Sequence, residues 1–241
     1  MRSLQMATVL CFVLLSRAVA ACDGDQIVRG VLDVSEWPTL RIADDARRYR
    51  LAHIGLAPMV AVDLSEFAGE KAELCATGTE VDRYDRLPAE VRVDGVSIQR
   101  ILLQRGVAFV LSLDNDGVLP GDFRDAEHSA INQRKGVWSD GGIFHQASDL
   151  NDLDAAVGGF VVVEGEVLSI GDRKRRLYLN FGKDWSTDFT AVADKSGSNQ
   201  YMGNIDALKM SKGRRIRARG ILEWRGGPMI RLTHDWQVER F

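Results

Sequence analysis

The sequence predicts a mainly β protein with helices, built as two small barrels in tandem. Short apolar runs that alternate with period two recur along the chain, separated by Gly- and Asp-containing turns, as half-buried strands require. Helical periodicity is confined to a few segments between those runs. The charge also divides the chain. Residues 158–241 hold 15 Lys+Arg against 10 Asp+Glu, a net of +5, whereas residues 1–157 hold 16 against 24, a net of -8. The whole-chain net of -3 is their sum, and it excludes a uniformly basic nucleic-acid binder. The 241 residues, 45% apolar and 27% charged, are enough for two cores. No apolar run reaches the roughly 18 residues of a membrane span.

Residues 1–21 read as an export signal. Arg2 supplies the positive start, Met6–Leu15 the apolar stretch, and Ala18-Val-Ala-Ala21 the small residues of a cleavage site. The expected destination is the periplasm. Val19-Ala-Ala-Cys22 also resembles a bacterial lipobox, which would anchor the chain through a lipid on Cys22. Left unlipidated, Cys22 and Cys75 are the two cysteines remaining after cleavage, and an oxidising compartment favours a disulfide between them. The two fates of Cys22 exclude each other.

The first domain spans 22–140, and residues 22–157 carry a net of -10 once Arg2 and Arg17 are removed with the signal. Strands are expected at Ile27–Leu32, Thr39–Ile42 and Tyr49–Ile54. A helix is expected over Val60–Leu74, with Leu64, Phe67, Lys71 and Leu74 on one face. Thr79–Val81 and Pro88–Val93 alternate as strands, and Asp94-Gly95 suits a hairpin turn. Val96–Arg105 reads as a helix that Gly106 ends, and Pro120 opens a last helix that stops before Gly136. Gly141–Val157, rich in Gly and Asp, reads as a linker with one short helical turn near Leu150–Val157. Residues 158–241 give strands at Phe160–Ile170, Arg176–Phe181, Phe189–Val192, Arg214–Glu223 and Pro228–Thr233. A helix at Ile205–Met210 after the third strand makes this the pattern of an OB barrel.

Six segments of the first domain resemble the staphylococcal nuclease (thermonuclease) family, in family order over roughly residues 27–140. They are Thr39-Leu-Arg-Ile42, Tyr49-Arg-Leu-Ala-His-Ile-Gly-Leu-Ala-Pro58, Val81-Asp-Arg-Tyr-Asp-Arg86, Val93-Asp-Gly-Val-Ser-Ile98, Leu102-Leu-Gln-Arg-Gly-Val-Ala108 and Arg134-Lys-Gly-Val-Trp-Ser139. The resemblance implies an OB-type barrel and a site in which two aspartates hold calcium, a glutamate activates water and two arginines bind the scissile phosphate. A hard cation wants carboxylate oxygens and an anionic transition state wants cationic donors. Arg50 and Arg86 stand in the arginine positions. Pro38 and Leu56 replace the two metal aspartates, Met59 replaces the general base, and Asp85 takes a place usually held by glycine. No metal or cofactor is therefore expected, and no catalytic residues. Calcium belongs only to the alternative, a phosphodiesterase using relocated acids such as Asp33, Glu36, Asp63 or Glu66. Arg50 and Arg86 suit either a retained anion pocket or salt bridges to Asp82, Asp85 or Glu90.

The basic second domain suggests a binding surface for single-stranded nucleic acid or another polyanion. Arg173-Lys174-Arg175-Arg176 sits at a hairpin tip, Arg215, Arg217 and Arg219 share one face of a strand, and Trp185 lies in a polar loop. Tyr178, Phe181 and Phe189 are expected in the core. A scaffold that binds an envelope protein is the third reading. His53, His128, His145 and His234 have no metal-ligand spacing, and no Ser-His-Asp arrangement, phosphate-cradling glycine loop or Cys-x-x-Cys motif occurs.

Overall fold

The computed structural model describes residues 27–57, 60–112, 119–184 and 186–241. The signal segment, Cys22, Met59 and Trp185 lie outside the described residues.

Alternation of side chains builds the first barrel. Its strands are β1 (Ile27–Asp33), β2 (Arg41–Ile42), β3 (Arg48–Leu51), β4 (Ile54–Leu56), β5 (Lys71–Ala76), β6 (Arg86–Val93), β7 (Val96–Ser97) and β8 (Ala108–Val110). The sheet runs β2-β1-β5-β6-β3, with β7 hairpinned to β6 and β4 paired separately with β8. Leu40 and Tyr49 exchange backbone hydrogen bonds of 2.9 Å each, which carries β3 back to the residue before β2 and nearly closes the barrel. Leu32, Ile42, Leu74 and Val91 fill the interior with Ile98 and Leu102 of helix α1 (Ile98–Arg105). Ser97 caps that helix by accepting from Arg100 N–H, and Gly106 ends it in a left-handed conformation at φ 71°. A side chain at Gly106 would meet the Lys135 carbonyl at 2.4 Å, so the position needs glycine twice over. Helix α2 (Gly121–Asn132) packs on α1, opened by Pro120 as expected.

The expected helix over Val60–Leu74 is absent. The chain makes one 3-10 turn at Ser65–Phe67 and then β5, hydrogen-bonded between β1 and β6. Leu64 and Phe67 do reach the core one turn apart, which is the signal that mimicked a helix. Beyond Gly69, at φ 81°, the period is two: Ala72 and Leu74 point inward, Lys71 and Glu73 outward. Thr79–Val81 is loop rather than strand. Asp94-Gly95 makes the expected turn, with φ 50° and 76°.

The second sheet contains β9 (Phe144–Gln146), β10 (Phe160–Glu166), β11 (Ser169–Asp172), β12 (Arg176–Asn180), β13 (Thr190–Asp194), β14 (Arg215–Trp224), β15 (Pro228–Leu232) and β16 (Val238–Arg240). It runs β11-β12-β13-β15-β14-β10-β9, with β16 on β14, and β13 pairs with β15 in parallel. Because β10 passes through Val167-Leu168 directly into β11, the strand that pairs with β14 also pairs with β12. Helix α3 (Leu150–Ala155) precedes β10, and α4 (Ile205–Lys209) lies between β13 and β14. The segment expected as a linker is structured: β9 pairs with β10 in parallel, and Leu153 of α3 is fully buried.

The two sheets are joined by a core of their own. Phe109 stacks on Phe160 with centroids 4.3 Å apart, and Ala130, Val137 and Trp138 pack with Ile143 and Val162. Beside it lies an ion pair between Arg219 of β14 and Glu127 of α2, both side chains 0% exposed, with Nη1 and Oε2 2.8 Å apart. Glu127 Oε1 accepts from the same Nη1 at 3.0 Å and from Val110 N–H at 2.6 Å. Glu239 stands 3.6 Å from Arg219 and 3.7 Å from both Arg124 and Arg217, and His128 Nε2 contacts its other oxygen. Burial opposes ionisation of Glu239, but His128 and the arginines outweigh it and hold the carboxyl below its usual range. Burial, reinforced by Arg219, pulls the Arg124 guanidinium down to about 10.

Breaking this pair from one side should be far more damaging than replacing it. Arg219→Met strands the Glu127 carboxylate in an apolar interface and is expected to cost about 3–5 kcal/mol in urea unfolding. The double variant with Glu127→Leu should recover most of that loss.

Candidate functional site

Two arginine clusters carry the functional expectation, one on each sheet. In the first, the turn Asp82–Arg86 is built around the Asp82 carboxylate. Its Oδ1 accepts from Tyr84 N–H at 2.9 Å and Arg86 N–H at 3.1 Å, and its Oδ2 accepts from Arg86 Nη2 at 2.7 Å and Nε at 3.0 Å. Arg50 Nε lies 4.0 Å from the same Oδ2. Asp85 adopts φ 60°, a left-handed conformation that aspartate tolerates better than most side chains, where glycine would be usual. Of the three acids expected as partners, Asp82 holds the arginines, while Glu90 is paired with Arg92 at 2.9 Å. Burial raises the Asp82 pKa, but the Arg86 and backbone hydrogen bonds prevail and hold it below the usual carboxylate range.

The positions at which the family resemblance requires carboxylates supply none. Pro38 offers its backbone carbonyl, which accepts from Arg86 Nη1 at 3.2 Å. Leu56 packs against the first core from β4. The nearby acids are engaged elsewhere. Asp33 caps Ser35 N–H at 2.8 Å, Asp63 caps Ser65 N–H at 2.8 Å, Glu36 lies 3.1 Å from Arg41 and 3.7 Å from Arg48, and Glu66 grips Arg105 with both oxygens. Among the described residues no three His, Cys, Asp or Glu side chains converge on one point. A calcium ion does not fit this donor set, because the facing oxygen is a single carbonyl already spent on Arg86.

On the second sheet the expected binding face divides. Arg219 is wholly buried against Glu127, and Arg217 lies 2.8 Å from Glu164 and 3.7 Å from Glu239, so neither is offered to a ligand. The alternation that puts Arg215, Arg217 and Arg219 on one face is real, but α2 of the first barrel covers that face at Arg219. Arg215 stays exposed, 3.3 Å from Glu164.

The hairpin tip behaves differently. Arg173 N–H donates to the Arg176 carbonyl at 2.9 Å, which leaves Lys174 and Arg175 at the apex. Below it, Arg176, Tyr178 and Asn180 of β12 face outward while Leu177 and Leu179 are fully buried. Tyr178, expected in the core, therefore lies on the outer face. Phe181 and Phe189 are in the core as expected, their rings 4.9 Å apart. Two adjoining depressions of about 540 and 660 Å³ share Arg173, Arg176 and Tyr178 in their walls.

Residues 55–140 match the family model of staphylococcal nuclease homologues. The first barrel carries a staphylococcal nuclease homologue domain. That match takes in Leu56 and Arg86, while Pro38, in the turn between β1 and β2, and Arg50, on β3, lie before it. The match covers about a third of the chain and suggests, for that domain, a family of nucleases and nucleic-acid-binding proteins. No curated protein matches the chain.

The residues that sequence reasoning missed are those of the interface, Arg124, Glu127, His128 and Glu239. One signal was available: Glu127 follows Phe123 by four residues on α2, so a charge sits within the apolar stripe of Phe123, Ala126 and Ala130.

Asp82→Asn should separate the turn from its arginines and cost about 1–3 kcal/mol at neutral pH. Because the folded pKa of Asp82 lies below its unfolded value, its contribution is present above the unfolded pKa of about 4 and lost as pH falls through the folded one. Denaturation across pH should show the gap between variant and parent closing in acid.

Proposed function

We propose that this is an exported nucleic-acid-binding protein whose nuclease-type domain no longer performs calcium-dependent cleavage. The single observation that carries the reading is the turn at Asp82. The two arginines that would bind a scissile phosphate are held by an internal carboxylate and by the Pro38 carbonyl, and among the described residues no cluster of acids forms a metal site. The domain is then a scaffold, and binding falls to the cationic second sheet. We read that sheet as an OB-type barrel, supported by its strand order, the parallel β13–β15 pair and the place of α4. Export rests on the charge, apolar core and small-residue pattern of residues 1–21. Cys75 is disulfide-bonded, which suits an oxidising compartment such as the periplasm.

The deciding experiment incubates the mature chain with a labelled single-stranded oligonucleotide, with calcium and with chelator. The expected result is binding that persists in chelator and weakens with salt, without calcium-stimulated cleavage. Calcium-stimulated cleavage that Arg86→Ala abolishes would overturn the reading and establish a phosphodiesterase with relocated acids.

A further inference from the structure

The interface removes one cationic face from the second barrel and leaves another. On the outer side of β12, β13 and β15, the register sets Tyr178 beside Val192 and Val192 beside Arg231, while Asn180, Thr190 and Met229 form the next row. The hairpin tip with Arg173 bounds this surface on one side, and the loop Arg225–Pro228 bounds it on the other. The result is a depression with an apolar and aromatic floor and cationic rims.

The charges around it are unequal. Asp194 is met by both Arg176 and Arg231, and Asp172 by both Lys195 and Lys209. Glu223 pairs with Arg225 at 2.9 Å, and Asp188 accepts from Asp184 N–H at 2.8 Å. Among the described residues no carboxylate lies within ion-pair reach of Arg173, Lys174 or Arg175. A solvated hairpin tip would explain three lone cations, but not their position at the rim of a groove that exposes a tyrosine ring.

We propose that this groove binds a single strand of nucleic acid, with a base laid on Tyr178 and backbone phosphates neutralised by Arg173, Lys174 and Arg175. A stacked base needs an aromatic face presented beside cations, and a paired duplex does not expose its base faces. The duplex backbone could meet the hairpin tip, but not the floor. The proposal deepens the nucleic-acid-binding reading and rests on it.

The test uses the full mature chain and fluorescence anisotropy with a labelled 12-nucleotide single strand and the matching duplex, over a range of salt. Each phosphate contact contributes about -0.7 to the slope of log affinity against log salt for a single strand. Arg173→Ala/Arg175→Ala should therefore flatten the slope by about 1.4 and weaken binding at low salt. The charge-matched control Lys212→Ala/Arg214→Ala, away from the groove, should leave the slope nearly unchanged. Tyr178→Leu, which keeps apolar cover over the strands, should weaken single-strand binding by about 5- to 100-fold with the slope retained. A parent protein that binds no single strand would overturn the binding reading itself. A parent that binds while both groove variants bind equally well, or that prefers the duplex, would leave that reading standing and overturn the groove.

Discussion

The buried pair of Arg219 and Glu127 is the contact on which the rest of the arrangement depends. A guanidinium and a carboxylate with no solvent access are stable only while each holds the other, so the two barrels can separate only at the cost of exposing both. Around that pair, Glu239 collects Arg124, Arg217 and His128 from both barrels, and Phe109 on Phe160 adds an apolar seal. The opposite net charges of the two halves thus have a structural use. Part of the acidity of the first domain and part of the basicity of the second are consumed against each other.

This use has a functional consequence. Strand β14 carries Arg215, Arg217 and Arg219, yet Arg219 meets α2. The hairpin tip at Lys174 and Arg175, by contrast, stands clear of acids among the described residues. The first barrel orients that surface without contributing to it. An isolated second barrel would expose Arg219 and Phe160 and so acquire a spurious cationic, apolar face.

The first barrel puts Arg50 and Arg86 to a structural use. Asp82 caps two backbone amides of its own turn and binds Arg86 through a second oxygen, so the arginine is needed for the turn whether or not a phosphate ever arrives. Pro38, lacking any carboxylate, still contributes its carbonyl to Arg86. The replaced positions are therefore filled by groups that stabilise the barrel rather than left as gaps.

Much of the fold was legible in the residues. The hairpin at Asp94-Gly95, the Ser97 and Gly106 caps of α1, Pro120 before α2 and the strands of the second sheet all follow from local turn chemistry and period-two patterning. The segment from Val60 to Leu74 was not, because Leu64 and Phe67 at helical spacing precede a strand, and only pairing with β1 and β6 decides which period governs. The lack of a side-chain carboxylate at positions 38 and 56 is equally a property of sequence, since neither Pro nor Leu carries one in any fold. Which arginines are available is not such a property. Arg175 and Arg219 look alike in a sequence, and what separates them is whether a helix remote in the chain brings Glu127 against one and nothing against the other. Side-chain chemistry is local, whereas desolvation is set by what packs on top of it, and that only the tertiary structure could decide.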